Sequence, residues 1–133
     1  MSVRRKEFID SANQMIAEAS ASEIILRNAC SRAYYSVYHA AEHRAGVLAL
    51  PAAQKVEGGA HEQLFERYRS IKKSGSKLAS LMVRYKRTRA RCDYKLESEI
   101  TREDALQHVK GCSMLFSEIE RFGTPAVCAS KVV

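Results

Sequence analysis

The sequence predicts an all-α protein, an antiparallel four-helix bundle with an extra short helix. Only two prolines and six glycines interrupt the 133 residues, so long unbroken segments remain. Within those segments apolar residues recur at steps of three and four, which is the spacing of one helix face. Because each such helix has a single apolar stripe, the helices must pack together around a shared core.

The predicted helices cover about residues 3–20, 22–45, 60–73, 77–91 and 101–122. Gly46 permits the second helix to stop, and Ser74-Gly75-Ser76 is expected to break the third helix from the fourth. Thr101 followed by Asp104 resembles a capping box that opens the last helix. One domain is predicted over residues 1–122, followed by a flexible tail over 123–133.

The composition narrows the class of protein. The net charge of +7 and the pI of about 9.4 favour binding to nucleic acid, with a solvated basic surface as the alternative. The four cysteines form no CxxC pair and lack metal-ligand spacing, so no metal or other cofactor is predicted and the thiols are read as reduced and mostly buried. No apolar stretch approaches the ~20 residues that span a bilayer, and the N-terminus lacks an apolar signal core. We therefore expect a cytoplasmic protein with no membrane partner.

The second predicted helix carries an unusual polar pattern, CSRAYYSVYHAA at residues 30–41. Positions i, i+4, i+7 and i+11 share one helix face. Starting from Arg32, that face holds Ser36, His39 and His43, with Asn28 and Tyr35 beside it. The opposite face is predicted to be core and holds Cys30, Ala33, Tyr34, Val37, Tyr38, Ala41 and Leu48. The pattern alone leaves open whether the polar face is a site or is only solvated.

Two stretches resemble a known family. SRAYYSVYHAAEH, at residues 31–43, resembles the SRAYYAxFHAA signature of HEPN domains, in their small stand-alone prokaryotic group. RARCDY, at residues 89–94, resembles the RxxADY element of that group, with Cys92 where alanine is usual. The last predicted helix is also similar, so the resemblance covers about residues 5–122. It implies a HEPN-like helical bundle that commonly forms a homodimer.

The resemblance also implies an activity, because many HEPN domains are metal-independent ribonucleases of toxin–antitoxin or defence systems. Their motif is an arginine and a histidine four to six residues apart, and Arg32 and His39 have six residues between them. RNA carries its own nucleophile, the 2′-hydroxyl, so cleavage needs proton transfer and charge stabilisation. His39 would take or give the proton, and Arg32 would bind the phosphate. The expected products are a 2′,3′-cyclic phosphate and a 5′-hydroxyl.

Further residues are predicted to support this pair or to contact RNA: Asn28, Tyr35, Ser36, Arg87, Arg89, Arg91, Asp93 and Tyr94. Asp93 could hold Arg32 or Arg89, or could form a structural ion pair or a helix-end turn. Tyr94 could lie beside His39, donate to phosphate or pack in the core. The basic run at residues 84–91 could bind phosphates or be a solvated helix end. The remaining histidines are read as surface residues: His43, His61 and His108.

Two other functions stay open. Members of the same family act as non-catalytic modules that pair with a minimal nucleotidyltransferase or another partner, and a toxin would have a cognate antitoxin. The polar face would then dock a partner protein or a nucleotide. Sequence-specific DNA binding is the weaker alternative, because no helix-turn-helix with a convincing short glycine turn is found.

Overall fold

The computed structural model describes residues 2–54 and 57–124. These residues contain five helices and no strand, so the all-α class is confirmed. The helices are α1 (Arg5–Ala17), α2 (Glu23–Val47), α3 (Ala60–Arg69), α4 (Lys72–Tyr94) and α5 (Arg102–Glu120). Within the described part of the chain, none of these helices is both long and apolar enough to cross a membrane. The predicted tail lies outside the described residues from position 125 onward.

α2 is the longest helix, and it packs against each of the other four. Arg27, near the start of α2, donates to the carbonyl oxygen of Cys92 near the end of α4, so these two helices run in opposite directions. α1 and α5 are also antiparallel, because Arg5 of α1 pairs with Glu120 at the end of α5 at 2.5 Å. The core therefore forms around α2, whose side chains face neighbours on most of its circumference.

α2 ends two residues later than predicted, at Val47. Gly46 lies inside the helix, and Ala49 takes the left-handed conformation at φ 51° that usually falls to glycine. The N–H of Leu50 donates to the carbonyl oxygen of Ala45 at 3.0 Å, and the N–H of Ala49 donates to that of Gly46 at 3.1 Å. This is a Schellman motif, which satisfies the carbonyls at the end of the helix.

The predicted break at Ser74-Gly75-Ser76 is wrong, because α4 begins at Lys72 and continues through it. Gly75 is buried, and a Cβ there would collide with the carbonyl oxygen of Tyr68 and lie 2.8 Å from Cβ of Ile71. The missing side chain lets the end of α3 approach α4 closely. Glycine here therefore serves packing between helices rather than a turn.

The predicted capping box at the start of α5 is confirmed. The N–H of Asp104 donates to Oγ1 of Thr101 at 3.0 Å, and the N–H of Thr101 donates to Oδ2 of Asp104 at 3.0 Å. The prediction of reduced, buried thiols is confirmed for Cys30, Cys92 and Cys112, which are free and buried. Cys128 lies outside the described residues.

Arg27 is a buried charge that the sequence analysis did not single out. Its guanidinium donates to the carbonyl oxygens of Cys92 at 2.9 Å, of Lys95 at 3.2 Å and of Ser98, all at or beyond the end of α4. It also pairs with Glu23 one turn earlier on α2 at 2.9 Å. Arg27 therefore supplies the hydrogen bonds and the positive charge that a helix C-terminus favours.

Candidate functional site

Arg32 and His39 lie on the solvent side of α2. Because the helix is continuous, seven positions separate them by about 10 Å along its axis, or two turns. Arg32 is exposed and has no hydrogen-bond or ion-pair partner among the described residues. The side chain of His39 is 39% exposed, its Nδ1 lies 3.9 Å from Oε1 of Glu42, and its ring centroid is 4.9 Å from that of Phe8. We call Arg32 and His39 the arginine–histidine strip, and both groups are open to solvent.

Two assignments to the faces of α2 need correction. Ser36 is fully buried, and its hydroxyl donates to the carbonyl oxygen of Ala33 at 2.6 Å, so it does not belong to the polar face. The reason is that α2 is packed by four helices, which leaves only a narrow exposed surface. Tyr38, predicted in the core, is only partly buried. Asn28 is exposed, one turn before Arg32.

A group of aromatic rings continues inward from the strip. We call it the tyrosine–histidine cluster, and its members are Tyr34, Tyr35, Tyr38, His39 and His61. The ring of His61, from α3, stacks on that of Tyr38 with centroids 4.2 Å apart. The ring of His39 lies 5.5 Å from Tyr38 and 6.2 Å from Tyr35. The tyrosine rings therefore lie between two histidines from different helices. His61 is half-buried among these rings, so its prediction as a surface residue holds only in part.

Tyr34 and His61 share the shortest polar contact in this cluster. The hydroxyl of Tyr34 lies 2.5 Å from Nδ1 of His61. Burial raises the pKa of the Tyr34 hydroxyl, which therefore keeps its proton. Burial also lowers the pKa of His61, and the charges of Lys86 and Arg89 lower it further. The buried hydroxyl thus has the hydrogen-bond partner that a buried tyrosine needs.

Arg89 of α4 lies beneath the cluster, against the rings of Tyr34 and Tyr35. Its side chain is buried, and its guanidinium carbon lies 5.5 Å from the ring centroids of Tyr34 and Tyr35. Nη1 lies 3.4 Å from Oδ2 of Asp93, which also accepts from the hydroxyl of Ser31 at 3.4 Å. Asp93 therefore pairs with Arg89, and its polar contacts within the described part of the chain are with Ser31 and Arg89.

Tyr94 lies neither in the core nor beside His39, the two positions that were predicted for it. It is 72% exposed, and the guanidinium carbon of Arg89 lies 5.9 Å from its ring centroid. It thus covers Arg89 from the solvent side and presents an aromatic face to solvent.

The basic run at residues 84–91 does not form one continuous surface. Arg87 is exposed and has no partner among the residues that the structure describes. Nε of Arg91 donates to the hydroxyl of Ser98 at 2.8 Å, on the connection between α4 and α5. Lys86 points toward α3, where it pairs with Glu62 beside His61 of the cluster. The helix therefore distributes these cations around its circumference, and only some of them face the cluster.

The two remaining histidines behave differently from each other. His43 is exposed, as predicted. His108 is buried, so its reading as a surface residue is wrong, and its Nε2 lies 3.0 Å from the carbonyl oxygen of Cys30. Burial lowers the pKa of His108 to about 4, and this imidazole is therefore neutral at pH 7.

Within the described ranges, no three His, Cys, Asp or Glu side chains are grouped so that they could hold a metal ion. The available chemistry is that of an open guanidinium, an open imidazole, and a hydroxyl–imidazole pair. Comparison with models of known protein families and with curated protein sequences returned no match for this chain. The class that the fold and the site define is an all-α helical protein with an arginine–histidine strip beside a tyrosine–histidine cluster.

Proposed function

We propose that this protein is a metal-independent endoribonuclease of the HEPN type, the toxin or effector of a toxin–antitoxin or defence system. The observation that carries the proposal is the accessibility of Arg32 and His39 on one side of α2. An arginine and a histidine that were sealed in separate ion pairs could not reach a polynucleotide. The antiparallel pairs α1–α5 and α2–α4, with the short α3 beside them, support a HEPN-like four-helix bundle.

The chemistry follows from the two side chains. His39 takes the proton of the 2′-hydroxyl as the 2′-oxygen attacks the adjacent phosphorus. Arg32 donates to the non-bridging oxygens and stabilises their developing charge. The bond from phosphorus to the 5′-oxygen then breaks, and the 5′-oxygen takes a proton. The products are a 2′,3′-cyclic phosphate and a 5′-hydroxyl.

A homodimer completes this site. The reaction requires a base for the 2′-hydroxyl and an acid for the 5′-oxygen. The strip of one chain holds one imidazole, and the other exposed imidazole of that face, His43, lies one turn beyond it. In a homodimer with two strips facing one groove, His39 of one subunit would be the base and the same residue of the second subunit the acid. The unpartnered Arg32 of each subunit would face the same phosphate.

Cleavage of a structured RNA by purified protein in excess EDTA tests the proposal. Arg32→Ala and His39→Ala are each expected to reduce the rate by roughly 10²–10⁴-fold, with helical content unchanged by circular dichroism. Lys110→Ala is the matched control, because it removes an exposed cation of α5 that has no partner among the described residues, and its rate should change less than about fivefold. Full activity of the His39→Ala protein would refute the mechanism.

A non-catalytic module that pairs with a nucleotidyltransferase or another partner is the second candidate. The observation that favours it is the exposure of apolar side chains near the end of α4, at Tyr94 and Leu96. In that case the folded protein would cleave no RNA, would bind the partner in a pull-down, and would lose that binding in Tyr94→Ser. Cleavage that depends on Arg32 would favour the ribonuclease instead.

A further inference from the structure

We propose that Tyr34 and His61 form a fixed hydrogen-bond donor, in which Nε2–H of His61 binds a phosphate oxygen of the RNA beside the arginine–histidine strip. This inference rests on the proposed function and adds a substrate-binding residue to it. Nothing in the sequence pattern of α2 pointed to His61, which lies on another helix.

The contact with Tyr34 determines which nitrogen of His61 carries the proton. Among the described residues, the buried hydroxyl of Tyr34 has one hydrogen-bond partner, Nδ1 of His61 at 2.5 Å, so the hydroxyl proton is satisfied only if Nδ1 accepts it. Nδ1 is therefore the acceptor. A neutral imidazole carries one N–H, which must then be on Nε2. Nε2 has no partner among residues 2–54 and 57–124.

The surroundings of His61 determine its charge state. The charged groups that face it are Lys86 and Arg89 from α4, His39 from α2 and Glu62 beside it on α3. Burial, the two cations and His39 lower the pKa of His61, and only Glu62 opposes them. His61 is also the second residue of α3, where the positive end of the helix dipole disfavours another positive charge. The imidazole is therefore a neutral donor at pH 7, whereas His39 transfers protons.

The ring of His61 has a fixed orientation. The imidazole of His61 is stacked on Tyr38 at 4.2 Å with an angle of 28° between the planes, and it lies 5.5 Å from the Tyr34 ring at 15°. Rotation of the imidazole would break the hydrogen bond and both stacks. The Nε2–H direction is thus set before any ligand arrives, which reduces the cost of ordering on binding.

The charges around His61 determine the choice of ligand. A free N–H could bind a base carbonyl or a phosphate oxygen. Lys86 pairs with Glu62 and Arg89 pairs with Asp93, but at His61 the effect of the two cations is larger than that of Glu62. Their field and the amino end of α3, whose N-cap Gly59 supplies no side-chain acceptor, favour an anion. RNA that enters along the strip would present such an anion at every nucleotide.

Nuclear magnetic resonance of histidine-¹⁵N-labelled protein tests both the tautomer and the ligand. The free protein at pH 7 is expected to show His61 with its proton on Nε2. A 2′-O-methyl RNA oligonucleotide, which cannot be cleaved, should shift the Nε2 signal, and an uncharged methylphosphonate oligonucleotide of the same sequence should not. A proton on Nδ1, or equal shifts with both oligonucleotides, would overturn the inference.

Matched variants separate binding from a purely structural role. His61→Leu is expected to weaken binding of the 2′-O-methyl oligonucleotide by about tenfold, the effect of one hydrogen bond to a charged group. His61→Gln places an amide N–H near the position of Nε2 and should recover most of the affinity. Tyr34→Phe keeps the ring but frees the tautomer, so both His61 tautomers should appear and binding should fall about threefold. Equal binding by the Leu and Gln variants would contradict the inference.

These results can be told apart from a failure of the proposed function. If the protein cleaves no RNA but His61 still shifts with the charged oligonucleotide alone, the phosphate site stands and the ribonuclease does not. If cleavage requires Arg32 and His39 but His61 does not respond, the ribonuclease stands and this inference is wrong.

Discussion

Two arginines of α2, five positions apart, show how the same residue type serves opposite purposes. Arg27 is buried and donates to main-chain oxygens in the last turn of α4 and just beyond it, so its charge is used inside the molecule. Arg32 is exposed and has no partner within the described residues. A buried charge holds a fold together only if it is fully paired, whereas an unpaired charge at the surface is available to a ligand. The contrast separates the structural from the candidate functional residues of this helix.

The largest expected change in stability is the loss on replacing Arg27, and Arg32 provides the comparison. Arg27→Ala should lower the free energy of unfolding by about 3 kcal/mol, because several carbonyl oxygens would lose their donor. Arg32→Ala should change it by less than about 0.5 kcal/mol, as expected for an exposed side chain. Urea unfolding at pH 7, followed by circular dichroism, measures both. Equal losses in the two variants would remove the basis of the comparison.

Buried His108 and exposed His43 extend the comparison to the pH dependence of stability. His108 is neutral in the folded state with a pKa of about 4, whereas its ordinary value is 6.5. As pH falls, the unfolded chain takes up the proton first, so stability decreases from about pH 6.5 down to about pH 4 and this loss is complete below that. Between pH 7 and pH 4.5 the contribution is about 2 kcal/mol.

The His108→Gln protein should lose this part of the pH dependence, as measured by urea unfolding at the two pH values. His43→Gln is the control, because it removes an exposed imidazole. The expectation fails if both variants retain the wild-type difference between pH 7 and pH 4.5.

The smallest expected effect concerns two ion pairs. Arg5 and Glu120 form a half-buried pair with two hydrogen bonds, and these bonds lower the pKa of Glu120. The pair therefore stabilises the folded protein above the pKa that Glu120 has in the unfolded chain. This stabilisation is lost as pH falls through the lower pKa of the folded state. Glu120→Gln should cost about 1 kcal/mol at pH 7, and Asp10→Asn, in the exposed pair with Lys6, about 0.3 kcal/mol. Thermal unfolding in low and high salt checks the order. A larger cost at Asp10 would contradict it.

Local signals in the sequence were sufficient for most elements of the fold, but not for the boundary between α3 and α4. Helical periodicity gave the all-α class, and the hydroxyl–acid spacing gave the capping box at Thr101, because both depend on neighbours within one or two turns. The reading of Ser74-Gly75-Ser76 as a break failed for the opposite reason. The contact that explains Gly75 is made with the carbonyl of Tyr68, which periodicity alone does not place beside it.

Helix spacing predicted the part of the candidate site that lies on α2, and the family resemblance pointed to Arg89, Asp93 and Tyr94 on α4. Arg32 and His39 are accessible on α2, as the spacing suggested, but Ser36 is buried because the neighbouring helices cover that side of α2. His61 could not be found in this way, since it meets Tyr34 across 27 positions of sequence. The only available signal was that a buried tyrosine hydroxyl needs an acceptor, which does not say which residue supplies it.

The close approach at Gly75 also governs the geometry of a region that it does not touch. Gly75 fixes where the carboxyl end of α3 rests on α4, and His61 stands near the other end of that ten-residue rod. A side chain at position 75 would require the carboxyl end of α3 to move away from α4, and His61 lies seven residues before Tyr68 on the same helix. The hydrogen bond between Tyr34 on α2 and His61 on α3 thus depends on the close packing that the missing Cβ of Gly75 on α4 allows.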